Sequence, residues 1–305
     1  MNNASQHLLS GAVSGFASSI SLQPLDLLKT RLQQGDGSSR GARHAGSILS
    51  IARDIVREKG VFGLWRGTSA TLLRNVPGVA LYFTSLNHVR TVLATTPYFA
   101  VVPLEQTRAS SGSVLPKLSK WGNLLAGATA RVAVGTLLNP FAVLKARYES
   151  NLHEYKSLAS AIHSLVQAGP SELFRGVLAA SLRDAPYAGL FVVSYEHFKG
   201  ELEHFVAPTS STSSTLVYGF AAASAGVVAS LATHPFDVVK TKMQVRTEDR
   251  YQGLLKTIST IYQQRGWIGF YDGAVLRILR KPPNSAIAWA TYESVLMLMR
   301  RSQQS

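Results

Sequence analysis

Three short stretches recur in the same order along this chain, and they limit its folding more than any other feature. "PLDLLKTR" begins at Pro24, "PFAVLKAR" at Pro140 and "PFDVVKTK" at Pro235. Each is followed by a polar segment and then a glycine–aromatic signature: "GVFGLWRG" closing at Gly67, "GPSELFRG" at Gly176 and "GWIGFYDG" at Gly273. Seven residues past each closing glycine stands an arginine, and three further on a proline: Arg74 and Pro77, Arg183 and Pro186, Arg280 and Pro283. Opening proline and closing glycine lie 43, 36 and 38 residues apart, so the length changes fall in the polar segment. One such element could arise by chance, but three with their internal spacing kept make a tandem repeat. Each unit is about twice the length of an ordinary solenoid repeat, which argues against a soluble helical array.

Each unit reads as two long apolar helices joined by a basic loop, over residues 4–94, 117–203 and 212–300. Leu8 to Leu25 holds 18 residues without a formal charge, the length of a membrane-spanning candidate. Thr209 to Phe236 is longer still. Small residues at Gly11 and Gly15, and at Gly122 and Gly127, suggest places where helices approach closely. In the loops, "SILSIARDIVREKG" and "LLKTISTIYQQRG" carry apolar residues three and four apart, which predicts short surface helices. Hydrophobic residues make up 46% of the chain and charged ones 16%, so disorder is excluded. A mean hydropathy of +0.09 suits helices with one apolar and one wet face.

The net charge of +14 fits nucleic acid, anionic lipid or an anionic ligand. Its distribution separates these readings. Lys29 to Arg66 holds eight basic residues against three acidic ones, whereas Thr91 to Pro116 holds only Arg108 against Glu105. Loops that alternate in charge follow the positive-inside rule, and a nucleic-acid surface gives no reason for them. The chain has no cysteine, which removes disulfides and thiolate metal sites. No basic residue precedes Lys29, so the start resembles neither a secretory leader nor an arginine-rich transit peptide.

On these motifs the chain resembles the mitochondrial carrier family. That family's pattern is a proline, an acid two later, bases five and seven later, then glycine, four residues, an aromatic, a base and glycine. The resemblance implies an all-α membrane protein of six transmembrane helices in three tandem repeats with pseudo-threefold symmetry. It also implies residence in the mitochondrial inner membrane with both termini in the intermembrane space, and a central site opened to each side in turn. Three departures stand out. Ala142 replaces the acid of the second unit. Asp272 replaces a base in the third. Lys59, Ala168 and Arg265 stand where the family often has an acid before the glycine.

Two layers of gate residues follow from the resemblance. Asp26 and Lys29, Lys145, and Asp237 and Lys240 form the matrix set, with Asp26 paired to Lys145 and Asp237 to Lys29. Gln33 and Gln244 take the bracing positions, and Glu149 stands there in the second unit. Read locally, Asp26–Lys29 and Asp237–Lys240 are ordinary i,i+3 pairs, worth a few tenths of a kcal/mol. The cytoplasmic set is Asn87 and Arg90, Glu196 and Lys199, and Glu293. It offers one full ion pair, Glu293 with Arg90, so the weaker gate is expected on that side.

Between the layers lie Arg74, Arg183 and Arg280, one per unit, expected to face the cavity. Guanidinium suits bidentate carboxylate binding. Asp184 follows Arg183 directly, and neighbouring side chains on a helix point about 100° apart. On that argument Asp184 is placed for a second ligand group, and the pair complements a zwitterion. The resemblance adds that an arginine–acid pair here accompanies amino-acid substrates. The resemblance further implies a small amino acid, glycine foremost, in supply of haem synthesis. No extra acid is present for a long cationic side chain; Gly78, Tyr187 and Asn284 stand one turn beyond the arginines. Arg131 replaces the glycines found at Gly15 and Gly226.

The expected partners are that substrate and membrane lipids, cardiolipin among them, with a functional monomer and neither cofactor nor nucleic acid. An enzyme is disfavoured: "HEYKS" at His153 lacks the second histidine of a zinc-protease helix, and no phosphate loop or dinucleotide fingerprint occurs. The alternative within transporters is a carboxylate or keto-acid carrier.

Overall fold

A computed structural model describes residues 3–35, 44–96, 98–99, 118–153, 155, 157–206, 211–284, 287, 291 and 294. Side chains at 3–12, 44–47, 120, 203, 205–206 and 211–216 lie outside that description. The described residues are helical almost throughout. In chain order the helices are α1 (Asn3–Gln33), α2 (His44–Lys59), α3 (Thr68–Ala94), α4 (Lys120–Leu137), α5 (Asn139–Glu149) and α6 (Leu158–Gln167). They continue with α7 (Pro170–Leu173), α8 (Val177–Val206), α9 (Ser211–Ala232), α10 (His234–Val245) and α11 (Leu254–Arg265). Residues 274–284 form a last helical stretch, α12. Single turns of 3-10 helix sit at Val61–Trp65, Asp249–Tyr251 and Gly266–Tyr271.

The repeat motifs make the local structure intelligible. Pro140 and Pro235 carry no N–H for the helical ladder, and the chain breaks there, between α4 and α5 and between α9 and α10. Pro24 lies inside α1 without ending it. The carbonyl four residues earlier, that of Ile20, has lost its usual donor, and the Trp65 indole N–H donates to it at 2.9 Å. Trp65→Phe is expected to lower stability by about 1 kcal/mol through loss of that donor, as read by thermal unfolding. An unchanged melting temperature would refute the role.

The first and last glycines of each second signature adopt positive φ. Gly60, Gly169 and Gly266, at 70°, 92° and 60°, end the preceding surface helices. Gly67, Gly176 and Gly273, at 93°, 80° and 77°, turn the chain into the next helix. α2 and α11 are the two loop helices that the periodicity predicts.

The expectation of six spanning helices needs correction. Among the described residues, no single helix is long and apolar enough to cross a membrane. Two bent pairs pass together by length and composition: Trp121–Leu137 with Asn139–Glu149, bent by 65°, and Val217–Ala232 with His234–Val245, bent by 54°. The reason is in the motifs themselves. The prolines break α4–α5 and α9–α10, while Asp26, Lys29 and Arg31 dilute α1 and Arg183, Asp184, Glu196 and Lys199 dilute α8. Multi-pass residence in the inner membrane, with both termini on its outer side, is overturned by the same finding. The small-residue reading also shifts. A Cβ at Gly15 or Gly127 would meet nothing within 4 Å, whereas one at Gly122 would stand 3.2 Å from Leu118 Cβ and 3.3 Å from Phe99 Cβ, and tight approaches also occur at Gly67 and Gly176.

The chain forms two compact units, and each sequence repeat contributes to both. The first comprises Met1–Val76, Pro140–Gly176 and Val238–Ser305. One apolar cluster there joins Leu27, Leu28, Ile55 and Leu276, and another joins Val143, Leu144, Ala161 and Leu165. The second unit comprises Pro77–Asn139 and Val177–Asp237, where α8 packs on α9 and α4. Fully buried alanines four apart allow that packing to be close: Ala126 and Ala130 on α4, and Ala221, Ala225 and Ala229 on α9.

Candidate functional site

In the first unit, polar residues gather around the opening prolines. Asp26, buried on α1, takes Lys145 Nζ of α5 at 2.7 Å, the ion pair that the resemblance implies. It has a second cation that the sequence reading places elsewhere: Arg280 Nε lies 2.8 Å from its other oxygen. That N–H is not aimed at the oxygen, so the contact is an ion pair without a formed hydrogen bond.

Glu149 is the other carboxylate here. Gln23 Nε2 donates to it at 2.9 Å and Thr30 Oγ1 at 2.7 Å, with Lys145 Nζ 3.6 Å away. Its Cγ takes the place against Gly67 that Gln244 Cγ takes against Gly176 and Gln33 Cγ takes against Gly273. The two glutamines each donate to the carbonyl just before the glycine: Gln33 to Asp272 at 3.3 Å and Gln244 to Arg175 at 3.4 Å. An ionised glutamate has no such donor. Gln23 supplies it, donating to the Arg66 carbonyl at 3.1 Å. Of the remaining matrix-set lysines, Lys240 is buried and Lys29 half-buried.

Sequence reading misses Gln23, although a signal exists. A polar residue precedes each opening proline, namely Gln23, Asn139 and His234, and all three are buried. It also misses how the departures from the family pattern compensate one another. Arg265 and Asp272 stand in each other's expected places, and they pair at 2.6 Å. In the second unit of the repeat, Ala168 leaves an acid missing. Glu172 answers, bonding both Arg147 and Arg175. Partial burial works against the Glu172 carboxylate, but the Arg147 hydrogen bond and the two guanidinium charges outweigh it and hold its pKa below the usual range.

In the second compact unit, Arg183 of α8 is the centre of charge. Its Nε and Nη2 fork onto Asp184 at 2.7 and 2.8 Å, and its Nη1 donates to Asp237 at 3.0 Å. This corrects the argument that neighbours on a helix stay apart. The long arginine side chain folds back along the helix surface and meets the short aspartate. Asp237 is 1% exposed, and its contact with Arg183 joins two residues that the sequence reading keeps apart.

The cytoplasmic set is described in part. Arg90 bonds the Asn123 side-chain oxygen through Nε at 3.1 Å and also through Nη2. Lys199 Nζ stands 4.7 Å from the centre of the Tyr218 ring, a cation–π contact. Asn87 and Glu196 are both exposed. Glu293 lies outside the described residues. Arg74 is half-buried on α3. Arg131 holds its guanidinium 4.6 Å from the Tyr82 ring centre.

His153 has a structural part rather than a catalytic one. Its Nε2–H donates to the Val245 carbonyl at 2.8 Å and its ring stacks on Tyr155. Burial, followed by the Arg147 charge, lowers its pKa although the hydrogen bond opposes them. Among the described residues no cluster of three metal-ligating side chains occurs.

Comparison with known proteins bears on the same motifs. The model of the mitochondrial carrier protein family matches residues 1–97, 116–205 and 211–303. The mitochondrial glycine transporter of Laccaria bicolor is 58% identical over 308 residues, covering 99% of this chain and all of the relative. Proteins of the same description from Aspergillus fumigatus and Mycosarcoma maydis are 40% and 38% identical over 95% and 93% of this chain, and the matches cover 92% and 82% of those relatives. Three matched stretches that take in every proline and glycine motif, with one relative matched over its whole length, make this chain a transporter of the mitochondrial carrier family.

Proposed function

We propose that this chain carries a small zwitterionic amino acid, glycine before others, with Arg183 taking the carboxylate and Asp184 the ammonium group. Arg280 and Arg74 complete the cationic set. The observation that carries the reading is Arg183 on α8, with an acid on each side of its guanidinium, in a chain 58% identical to a protein named for glycine transport. The gate roles of Asp26, Lys29, Gln33, Lys145, Asp237, Lys240 and Gln244, and of Asn87, Arg90, Glu196, Lys199 and Glu293, belong to the same proposal. So do a lipid partner such as cardiolipin and action as a monomer.

One observation favours a second reading. The fork ties both Asp184 oxygens to Arg183, leaving the acid less open to an ammonium group. A carboxylate or keto acid would need the arginine alone. Uptake of labelled glycine, serine, alanine and malate into proteoliposomes decides between them. The amino-acid reading expects glycine uptake, and its loss by about tenfold or more in Asp184→Asn, the size of one charge-assisted contact. Malate uptake without glycine uptake, or full uptake by Asp184→Asn, would reject it.

A further inference from the structure

Arg131 is the cation of the second compact unit to which the substrate reading gives no task. The described arginines of that unit are Arg90, Arg131 and Arg183. Arg183 is taken up by Asp184 and Asp237, and Arg90 by the Asn123 side chain. The Arg131 guanidinium rests 4.6 Å from the centre of the Tyr82 ring and, among the described residues, meets no carboxylate. We infer that Arg131 is a further substrate-binding residue, the cation that first receives the substrate carboxylate. This rests on the reading of the substrate as a small amino acid taken by Arg183.

Position on the helix supports this. Trp121, Leu125, Thr129, Ala133 and Leu137, four apart, form an exposed and uncharged strip along α4. Each residue of a helix is turned about 100° from the last, so Arg131, two positions from both Thr129 and Ala133, points about 160° away from that strip. Arg131 is exposed nevertheless. Its helix therefore has a second open side, and that side carries a charge. A lone charge is costly against lipid, so the side with the arginine is the one that suits water and a polar ligand. The equivalent position in the first repeat is open as well, since a Cβ at Gly15 would meet nothing within 4 Å.

The contacts of the two guanidinium groups set the order of capture. A carboxylate arriving at Arg183 finds Nε and Nη2 on Asp184 and Nη1 on Asp237. At Arg131 the contact is with an aromatic ring, so a carboxylate can reach the planar fork without displacing another acid. Capture at Arg131 breaks no ion pair, whereas capture at Arg183 does. Tyr82 holds the long side chain in place through the ring face, which lowers the freedom lost when the ligand arrives.

Arg131→Gln removes the charge and keeps most of the length. In proteoliposomes of the full-length protein it is expected to raise the half-saturating glycine concentration about tenfold, with the maximal rate within about twofold of wild type. Arg131→Lys keeps the charge without the fork and should raise half-saturation about threefold. Tyr82→Phe keeps the ring face and should match wild type, whereas Tyr82→Leu should raise half-saturation about threefold. The rise in melting temperature caused by glycine should shrink in Arg131→Gln. An arginine with a purely structural part would lower the melting temperature without substrate and leave half-saturation unchanged. That result in folded Arg131→Gln protein overturns the inference and leaves the amino-acid reading standing. Should Arg131→Gln fail to fold, half-saturation in Arg131→Lys and Tyr82→Leu decides in the same way. Wild-type protein that takes up malate and not glycine overturns the amino-acid reading itself. The same variants measured with malate then decide on Arg131: a rise in half-saturation keeps it as a carboxylate ligand, and no rise removes it.

Discussion

Arg183→Ala is expected to reduce glycine uptake by about 100-fold or more, and Arg183→Lys by roughly tenfold. The guanidinium makes three hydrogen bonds to two carboxylates, at 2.7, 2.8 and 3.0 Å. Removing it withdraws the proposed carboxylate ligand and leaves Asp184 and Asp237 facing each other's charge without it. Breaking a buried pair by deleting one member costs about 3–5 kcal/mol, so the alanine protein should also unfold at lower temperature. Lysine keeps the charge but lacks the planar fork that holds Asp184 by two parallel bonds. Initial uptake rates, normalised to folded protein by thermal unfolding, provide the measurement. Alanine protein working within threefold of wild type would remove Arg183 from the mechanism.

The second large effect concerns the closing glycines. Gly67→Ala is expected to destabilise by roughly 3 kcal/mol or more. At φ of 93° any side chain is strained, and the new Cβ would sit 2.8 Å from Glu149 Cγ and 3.2 Å from Gln23 Nε2. Glu149 cannot swing aside, because Thr30 and Gln23 hold both its oxygens. Gly176→Ala meets Gln244 Cγ at 3.1 Å and should cost less. Gly273→Ala meets nothing nearer than 3.5 Å and bears only the backbone term, about 1–2 kcal/mol. Melting temperatures should therefore fall in the order Gly67, Gly176, Gly273, with the deepest loss first. An equal loss at Gly273 and Gly67 would show that backbone strain alone sets the effect.

The bracing geometry is legible in the repeat itself. A motif written three times identifies equivalent positions, and the family resemblance supplies both the glutamine positions Gln33 and Gln244 and the Asp26–Lys145 pair. Gln23 stays hidden, because its task exists only where Glu149 has replaced a donor with an acceptor. The Arg183–Asp184 fork escapes for a different reason. Helical angles describe where Cβ points, and a side chain of arginine's length is not bound by that direction. Nor can spacing reveal that Arg280 meets Asp26, which lies 254 positions away in the chain. The expectation of unbroken spans fails because a run of apolar letters says nothing of the bends at Pro140 and Pro235.

The exchanged places of Arg265 and Asp272 restrict how this protein can be altered. Restoring the family's usual residue at either site alone sets two like charges face to face, and only the simultaneous double replacement returns an attractive pair. An engineer adopting majority residues one at a time would descend into a valley here from both directions. The same barrier faces natural drift, so once a lineage has crossed to the swapped arrangement it is held there.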